Sequence, residues 1–342
     1  MSKVKVGING FGRIGRLVLR SALTYGKEKD LDFVAVNDIT DAKTLAHLFK
    51  YDSTFGKFPG EVVAKDDSIL INGKELKVLA ERNPAELPWK ELGVSIVVES
   101  TGRFTKVDDC RKHLTAGAKK VVLTARYKGE GEDAVMINIG INEEAYVPSK
   151  HNIISMASCT TNSLTPMIKV MLKEFGIEKA LMTTVHSYTA DQRLQDAPHK
   201  DLRRARSAAV SIVPTTTNAA VAVTQVMPEL KGKFDGMAIR VPTVCASISD
   251  TTIIVKRNTT AEEVNAVLKR YSENELKGIL GYTEEPLVSR DIIGNTCSAT
   301  VDALSTKVMG GNMVKILTWY DNEWGYSSRI VDTIALIASK EL

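Results

Sequence analysis

The stretch from residue 3 to residue 38 constrains the fold more than any other part of the chain. A β-branched run, 3-KVKVGI-8, meets a glycine turn, 9-NGFGRIG-15. The turn opens a segment with apolar residues at helical spacing, 13-RIGRLVLRSALTYG-26, and a second strand-like run follows, 31-LDFVAVND-38. Gly10, Gly12 and Gly15 form G-x-G-x-x-G. Alone this pattern is weak, and a glycine-rich turn without a ligand is its ordinary alternative. Between a strand and a helix each glycine has a task. Gly10 permits the tight turn, Gly12 lets the backbone approach a pyrophosphate, and Gly15 allows close packing of helix on strand. The helix N-terminus then faces the negative charge. Asp38 stands about 20 residues beyond the glycines, where a carboxylate can bond ribose hydroxyls and repel a 2′-phosphate. The segment therefore predicts a Rossmann-type unit that binds NAD in preference to NADP.

The next hundred residues extend the same pattern. The runs 67-DSILING-73 and 76-LKVLAE-81 predict a hairpin around Asn72-Gly73. A buried strand (94-VSIVVEST-101), a helix (105-TKVDDCRKHLTAG-117) and another strand (119-KKVVLTA-125) come next. This alternation implies a doubly wound parallel sheet with helices on both faces. After residue 158 the character changes. A helix over 164-LTPMIKVMLKEFG-176 is followed by long strands at 179–189, 236–257 and 313–321, with helices expected at 217–230 and 260–274. This describes an α+β unit on a mostly antiparallel sheet. The expected domains are 1–157 for the dinucleotide and 158–321 for catalysis, with a C-terminal helix of about 322–342 packing back on the first.

Two domains suit 342 residues. With 45 basic and 41 acidic residues the net charge is +4, too balanced to suggest nucleic acid or a membrane surface as a main partner. Cys110, Cys159, Cys245 and Cys297 are far apart and form no CxxC pair. A disulfide framework and a metal site are not expected, and a reducing compartment is. The start, MSKVKVGING, lacks the apolar core of a secretory signal, and no run of about 18 apolar residues suggests a membrane span.

The chemistry centres on 155-SMASCTTNSLTP-166. Cys159 is expected in the first turn of a helix, where free N–H groups and the helix dipole favour a thiolate. A lone cysteine is more often core, so the other motifs matter. His186 ends the strand run in 183-TTVHSYTADQ-192, and a Cys–His pair is a common means of making a nucleophilic thiolate. The basic run 199-HKDLRRAR-206 would by itself be a solvated face. With the hydroxyls of 215-TTT-217 and Arg240 in 236-GMAIRVPT-243, it supplies donors suited to phosphate.

Dinucleotide, thiol, histidine and phosphate donors occur together in one known family. The chain closely resembles the phosphorylating glyceraldehyde-3-phosphate dehydrogenases nearly end to end, through INGFGRIGR, KYDSTFG, ESTGRF, ASCTTN, TVHSYT, DLRRAR, RVPT and WYDNEWGYS. The resemblance implies Cys159 as nucleophile and His186 as its base. It matches Thr189 and Arg240 to the substrate-phosphate site. Ser158, Thr160, Arg204, Thr217 and Asn218 fall at the inorganic-phosphate site. Gly10, Phe11, Gly12, Arg13, Ile14, Asp38, Thr101, Thr124 and Asn322 fall at cofactor contacts, with Asn322 beside the nicotinamide amide. The implied reaction converts glyceraldehyde 3-phosphate and inorganic phosphate to an acyl phosphate as NAD is reduced, in a cytoplasmic homotetramer. The long polar segment 188–208 is expected at a subunit interface.

The chain departs from the family pattern at several points. Asn218 stands for a phosphate-loop glycine, Val221 for a lysine, and Ser163 for the second cysteine of CTTNC. The segment 125-ARYK-128 replaces Ala-Pro-Ala-Lys, and Ala197 stands where NAD-specific relatives often carry leucine. Two alternatives follow: a dehydrogenase for erythrose 4-phosphate, whose phosphate loop also lacks Gly and Lys, and a non-catalytic nucleotide- or RNA-binding protein. Thr189 within TVHSYT favours the triose phosphate over the first, and the complete catalytic set argues against the second.

Overall fold

A computed structural model describes residues 3–26 and 30–341. The chain separates into two compact units, Met1–Ile137 with Glu143–Ala157 and Ser327–Leu342, and Asn138–Asn142 with Ser158–Tyr326.

In the first unit the strands begin with β1 (Val4–Asn9), β2 (Leu31–Asn37) and the short pair β3 (Tyr51–Asp52) and β4 (Gly56–Lys57). They continue as β5 (Val62–Ala64), β6 (Ser68–Ile71), β7 (Lys74–Leu79) and β8 (Ile96–Glu99). The last three are β9 (Lys120–Leu123), β10 (Ala134–Met136) and β11 (Ile153–Ser155). All but β3 and β4 join one sheet in the order β10-β11-β9-β8-β1-β2-β7-β6-β5. Neighbours from β10 to β7 are parallel, and β6 and β5 extend the edge antiparallel. Helices α1 (Arg13–Thr24), α2 (Ala42–Lys50), α3 (Trp89–Leu92) and α4 (Val107–Thr115) accompany it. Every residue of β8 and β9 is buried, as a parallel strand covered on both faces requires. The chain runs from β1 to β2 on one side and later returns to β8 on the other. The crevice at the carboxyl ends of β1 and β8 is thus the switch point at which such sheets bind ligands. The hairpin falls where expected, with Asn72 and Gly73 at φ 51° and 77°, the left-handed pair of a type I′ turn.

The second unit holds β12 (Ile177–Ser187), β13 (Val213–Thr215), β14 (Phe234–Val241) and β15 (Ser247–Val255). It also holds β16 (Leu280–Thr283), β17 (Ala299–Met309) and β18 (Met313–Tyr320). Their order is β13-β14-β12-β15-β18-β17-β16. Most pairs are antiparallel, and β12 with β14 and β16 with β17 are parallel. Helix α5 (Cys159–Phe175) packs on this sheet, and α6 (Ala219–Val226) and α7 (Ala261–Glu273) complete the layer. Strand β15 alternates buried and part-exposed residues along its length, as a half-covered antiparallel strand should. Helix α8 (Trp324–Glu341) starts in this unit, and its residues from Ser327 onward group with the first, where the Ser328 hydroxyl lies 3.0 Å from that of Ser21.

Three expectations need correction. The run 236–257 is not one strand. Pro242 lacks an N–H, Ala246 takes a left-handed φ of 67°, and β14 and β15 lie on opposite sides of β12. The helix expected over 217–230 stops at Val226, because Pro228 disfavours helical geometry in the residue before it, and a 3-10 turn Pro228–Leu230 follows. The last helix begins at Trp324 rather than near 322. Helix α2 and strands β13, β16 and β17 were not anticipated; β17, split by a register shift after Asp302, shows no simple alternation.

Candidate active site

Helix α5 begins at Cys159. Ser158 is its N-cap, extended at φ −123° and ψ 164°, and its side chain accepts a hydrogen bond from the Thr161 N–H. The thiol is thereby fixed in the first turn. Strand β12 brings His186 to it, with Sγ 3.4 Å from Nε2. On the parallel neighbour β14, Arg240 lies in register with His186. Its Nη1 is 2.7 Å from His186 Nδ1 and donates to the Ser187 carbonyl at 2.9 Å. That carbonyl also lies 2.6 Å from Nδ1. With Nδ1–H directed at the carbonyl, Nε2 presents a lone pair to the thiol. In the other tautomer, Nδ1 accepts from Arg240 and Nε2–H faces the sulfur.

The electrostatics correct one expectation. Burial pushes the Cys159 thiol up, and this outweighs the downward pull of Arg240 and of hydrogen bonds from Thr160 and the Cys159 backbone. The helix start acts in the predicted direction but does not win in this enclosed setting. His186 is pushed down to about 3 by burial and by the charge of Arg240, against the Ser187 carbonyl. Both shifts favour the neutral forms of the pair, thiol and imidazole.

Tyr320 is a member of the centre that sequence reasoning missed, although it lies in WYDNEWGYS. Its hydroxyl sits between Thr160 Oγ1 (3.0 Å) and Thr184 Oγ1 (2.8 Å), and its ring stands edge-on to His186. The Thr160 hydroxyl, expected at an anion site, is buried and turned to Tyr320. Likewise, the Ser158 hydroxyl is engaged in capping α5. Ser163, in place of a cysteine, is buried and donates to the Thr160 carbonyl.

The basic donors divide into two kinds. Arg240 keeps a buried Nε without a hydrogen-bond partner among the described residues, a donor available to an anion. Thr189 lies two residues past the end of β12, half-buried, and its carbonyl closes a turn with the Gln192 N–H. Arg204, by contrast, is held by the protein. It donates to Asp191 at 2.6 Å, to Thr215 Oγ1 at 3.0 Å and to the Thr216 carbonyl at 3.2 Å. Thr215 in turn donates to Asp201 at 2.7 Å. Its charge still reaches His186 and Arg240. Thr217 Oγ1 accepts from the Ala219 N–H at the start of α6. Asn218 has φ −87° and ψ 3°, so this loop does not require the left-handed geometry for which glycine would be needed. Val221 is exposed on the same helix. Ala197 is exposed and donates its N–H to the Ala205 carbonyl, and Arg126 is half-buried.

The dinucleotide residues gather at the carboxyl edge of the first sheet. Gly10 has φ 91°, and a Cβ there would meet Thr101 N at 2.7 Å. A Cβ on Gly15 would lie 2.2 Å from the Gly10 carbonyl. A Cβ on Gly12 would meet nothing, and Gly12 caps α1 without a side-chain hydrogen bond. Open space at the start of α1, where Gly12, Arg13 and Ile14 stand, fits a pyrophosphate. Asp38 Oδ2 accepts the Phe11 N–H at 2.9 Å and Oδ1 the Thr40 N–H, so the carboxylate also braces the turn. Phe11 itself is a correction. Its ring is wholly buried against Phe49, because the residue between the two outward glycines points into the core, so it offers the cofactor no side chain. The Arg13 guanidinium pairs with Asp52. The Thr101 hydroxyl donates to Glu99, and that of Thr124 to the Glu99 carbonyl. In the second unit Asn322 Oδ1 accepts from Ser247, whose oxygen accepts the Ser187 N–H.

Comparison with known proteins gives a consistent result. Residues 4–107 match the family model described as the NAD binding domain of glyceraldehyde 3-phosphate dehydrogenase, and residues 158–322 match that of its C-terminal domain. The chain is 60% identical over 339 residues to the glyceraldehyde-3-phosphate dehydrogenase of Geobacillus stearothermophilus, covering 99% of each. It is 58% identical over 333 residues to the enzyme of that name from Thermotoga maritima, covering 97% of this chain and 98% of that one. Glyceraldehyde-3-phosphate dehydrogenase 1 of Bacillus cereus is 56% identical over 338 residues, with 99% of each covered.

Proposed function

This chain belongs to the glyceraldehyde-3-phosphate dehydrogenase family, and on that premise we propose that Cys159 and His186 carry its chemistry, with 1–157 as NAD-binding domain, 158–321 as catalytic domain and the helix of about 322–342 returning to the first. The protein is an oxidoreductase that converts glyceraldehyde 3-phosphate, inorganic phosphate and NAD to the acyl phosphate and reduced cofactor. One observation carries the assignment of residues: a thiol in the first turn of a helix, 3.4 Å from a buried imidazole, with an arginine beside that imidazole.

Cys159 Sγ adds to the aldehyde carbon as its proton passes through His186 Nε2 to the carbonyl oxygen, which gives the thiohemiacetal and a neutral imidazole. The neutral His186 then takes the hydroxyl proton of the thiohemiacetal as the same carbon gives up its hydride, which leaves a thioester on Cys159. NAD, held at the glycine turn and Asp38, supplies the hydride acceptor. The Cys159 N–H at the helix start and protonated His186 stabilise the developing oxyanion. Arg240, through its free Nε, and Thr189 hold the phosphate ester and so fix the aldehyde over the thiol. Inorganic phosphate, oriented near Ser158, Thr160, Arg204, Thr217 and Asn218, attacks the thioester and releases Cys159. Because Arg204 is already held by Asp191 and Thr215, it contributes mainly charge. Asn322 would hold the nicotinamide amide through its side chain.

Among the described residues no helix is long and apolar enough to cross a membrane. The protein works in the cytoplasm as a homotetramer. The test is initial rates with glyceraldehyde 3-phosphate and erythrose 4-phosphate, each with and without inorganic phosphate. Faster turnover of the triose phosphate, with acyl phosphate formed only when phosphate is added, is expected. Equal or faster turnover of the four-carbon aldehyde without phosphate overturns the reading.

A further inference from the structure

A polar chain crosses the interior of the first unit directly beneath the glycine turn. Its centre is Glu99, the last residue of β8, whose register partner on β1 is Asn9. Both are 1% exposed, at the switch point of the sheet. Glu99 Oε2 receives Asn9 Nδ2 at 2.6 Å and lies 3.0 Å from His113 Nε2. Glu99 Oε1 receives the Thr101 N–H at 2.9 Å and the Thr101 hydroxyl.

The hydrogen positions in this chain are set from its two ends. At one end the Glu81 backbone fixes Asn37: Glu81 N–H donates to Oδ1, and Nδ2 donates to the Glu81 carbonyl, both at 2.8 Å. The Asn37 NH2 must then donate to Asn9 Oδ1, 2.7 Å away, which turns the Asn9 NH2 toward Glu99. At the other end the Trp89 indole can only donate, and it lies 3.1 Å from His113 Nδ1. His113 Nδ1 is therefore an acceptor, and Nε2 carries the hydrogen that faces Glu99. All four partners of Glu99 are donors. A carboxylate accepts from all of them, and a neutral amide would set an N–H against a donor.

The chain also touches what the cofactor site is made of. The Ser100 hydroxyl donates to the Gly10 carbonyl at 2.6 Å, and the Gly10 N–H donates to the Asn37 carbonyl at 2.8 Å. The Thr101 nitrogen held by Glu99 is the atom against which Gly10 packs. Asp38 follows Asn37 directly. We propose that Glu99 is a positioning residue of the dinucleotide site, an obligatory acceptor that locks the Gly10 turn and the Asp38 strand end into one register. This rests on reading the glycine turn as the seat of NAD.

The experiment measures dissociation constants of NAD and ADP-ribose by titration calorimetry, together with the thermal midpoint without ligand and the KM for the aldehyde at saturating NAD. In Glu99→Gln both dissociation constants should rise about tenfold or more, the consequence of an unpaired buried donor, while the KM for the aldehyde is unchanged. Trp89→Phe removes the remote indole donor and leaves a smaller ring in the same buried place. It should lower the thermal midpoint and leave NAD affinity within about twofold, since the hydrogen bond it loses is a distant one. If Glu99→Gln does not fold, Asn9→Ala, which cuts the link from Asn37 to Glu99, should show the same paired loss for both ligands. Glu99→Gln, or Asn9→Ala in its place, with a lowered midpoint and unaltered affinity for both ligands would overturn the proposal. Failure of the underlying reading shows separately: Gly12→Val adds a side chain that meets no protein atom near its Cβ, and if it binds NAD as wild type does, the glycine turn is not the seat.

Discussion

At Cys159 influences of opposite sign meet, and the balance makes testable predictions. Burial raises the thiol, while Arg240 and the helix-start hydrogen bonds lower it. Arg240→Gln should therefore move the alkylation profile of Cys159 to higher pH and slow alkylation at neutral pH; an unmoved profile would show that the guanidinium does not act on the thiol. Cys159→Ser should abolish dehydrogenase turnover with NAD still bound, and near wild-type turnover would exclude the thioester route. His186→Asn should slow turnover by about 10²–10⁴-fold, the usual range for a lost general acid–base. His186 carries a second prediction. Its folded pKa is depressed to about 3, so between there and its ordinary value near 6.5 the unfolded chain holds a proton that the folded chain does not. Stability contributed by the neutral folded histidine is present above about 6.5 and is lost as pH falls toward 3. The thermal midpoint of His186→Asn should thus decline less steeply than wild type across that window, and parallel curves would contradict the burial of a neutral ring. The principal residues were legible in sequence because ASCTTN and TVHSYT are short and specific. Tyr320 was not, since nothing in one sequence says that its hydroxyl bridges Thr160 and Thr184 from a strand 160 and 136 residues away.

At the scale of elements, the glycine turn and its flanking strands were the most legible part because each glycine answers a local steric demand. Gly15→Ala would place a methyl 2.2 Å from a backbone carbonyl, an overpacking of about 1–3 kcal/mol, and should lower both the thermal midpoint and NAD affinity. Retained NAD affinity would mean that the turn has room the geometry denies. Less legible were elements whose identity depends on partners. The run 236–257 reads as one β segment, but its halves pair on opposite sides of β12, and only Pro242 and the strained Ala246 mark the break. The buried Glu99 network was invisible too, because its members come from five separate segments. Asp38 shows how an element-level role alters a residue-level one. Its carboxylate disfavours a 2′-phosphate and also accepts the Phe11 N–H. Asp38→Ala should therefore narrow the preference for NAD over NADP and weaken both cofactors, as measured by kcat/KM for each. Equal wild-type values for the two cofactors would shift the preference to Ala197 and the altered loop near Arg126.

At the scale of the whole molecule, the segment between β12 and β13 has consequences for assembly. Residues 188–212 contain no helix or strand, yet they are stitched to themselves. Ala197 donates to Ala205 and Ala208 to Arg193, and Arg206 pairs with Asp196. Local bonds thus give the segment a defined shape without regular structure. It also exposes large apolar side chains: Leu194 at 76%, Leu202 and Val210 at 81%, and Ile212 at 70%. A long connection that is internally ordered and apolar on its outer side is the profile of a surface awaiting a partner. Because its conformation is already fixed, a partner gains the burial with less ordering entropy. The proposed homotetramer makes a second copy of the chain that partner, through closed two-fold contacts repeated about further axes. Leu202→Asp places a charge where that contact would bury it, so under the proposed tetramer the variant should dissociate toward smaller species at concentrations where the wild type stays assembled. The same segment carries Thr189 and Arg204 of the proposed phosphate sites, so turnover should fall together with assembly. Light scattering and activity across a dilution series decide the matter: a wild-type monomer with full activity would rule out the tetramer as the working form.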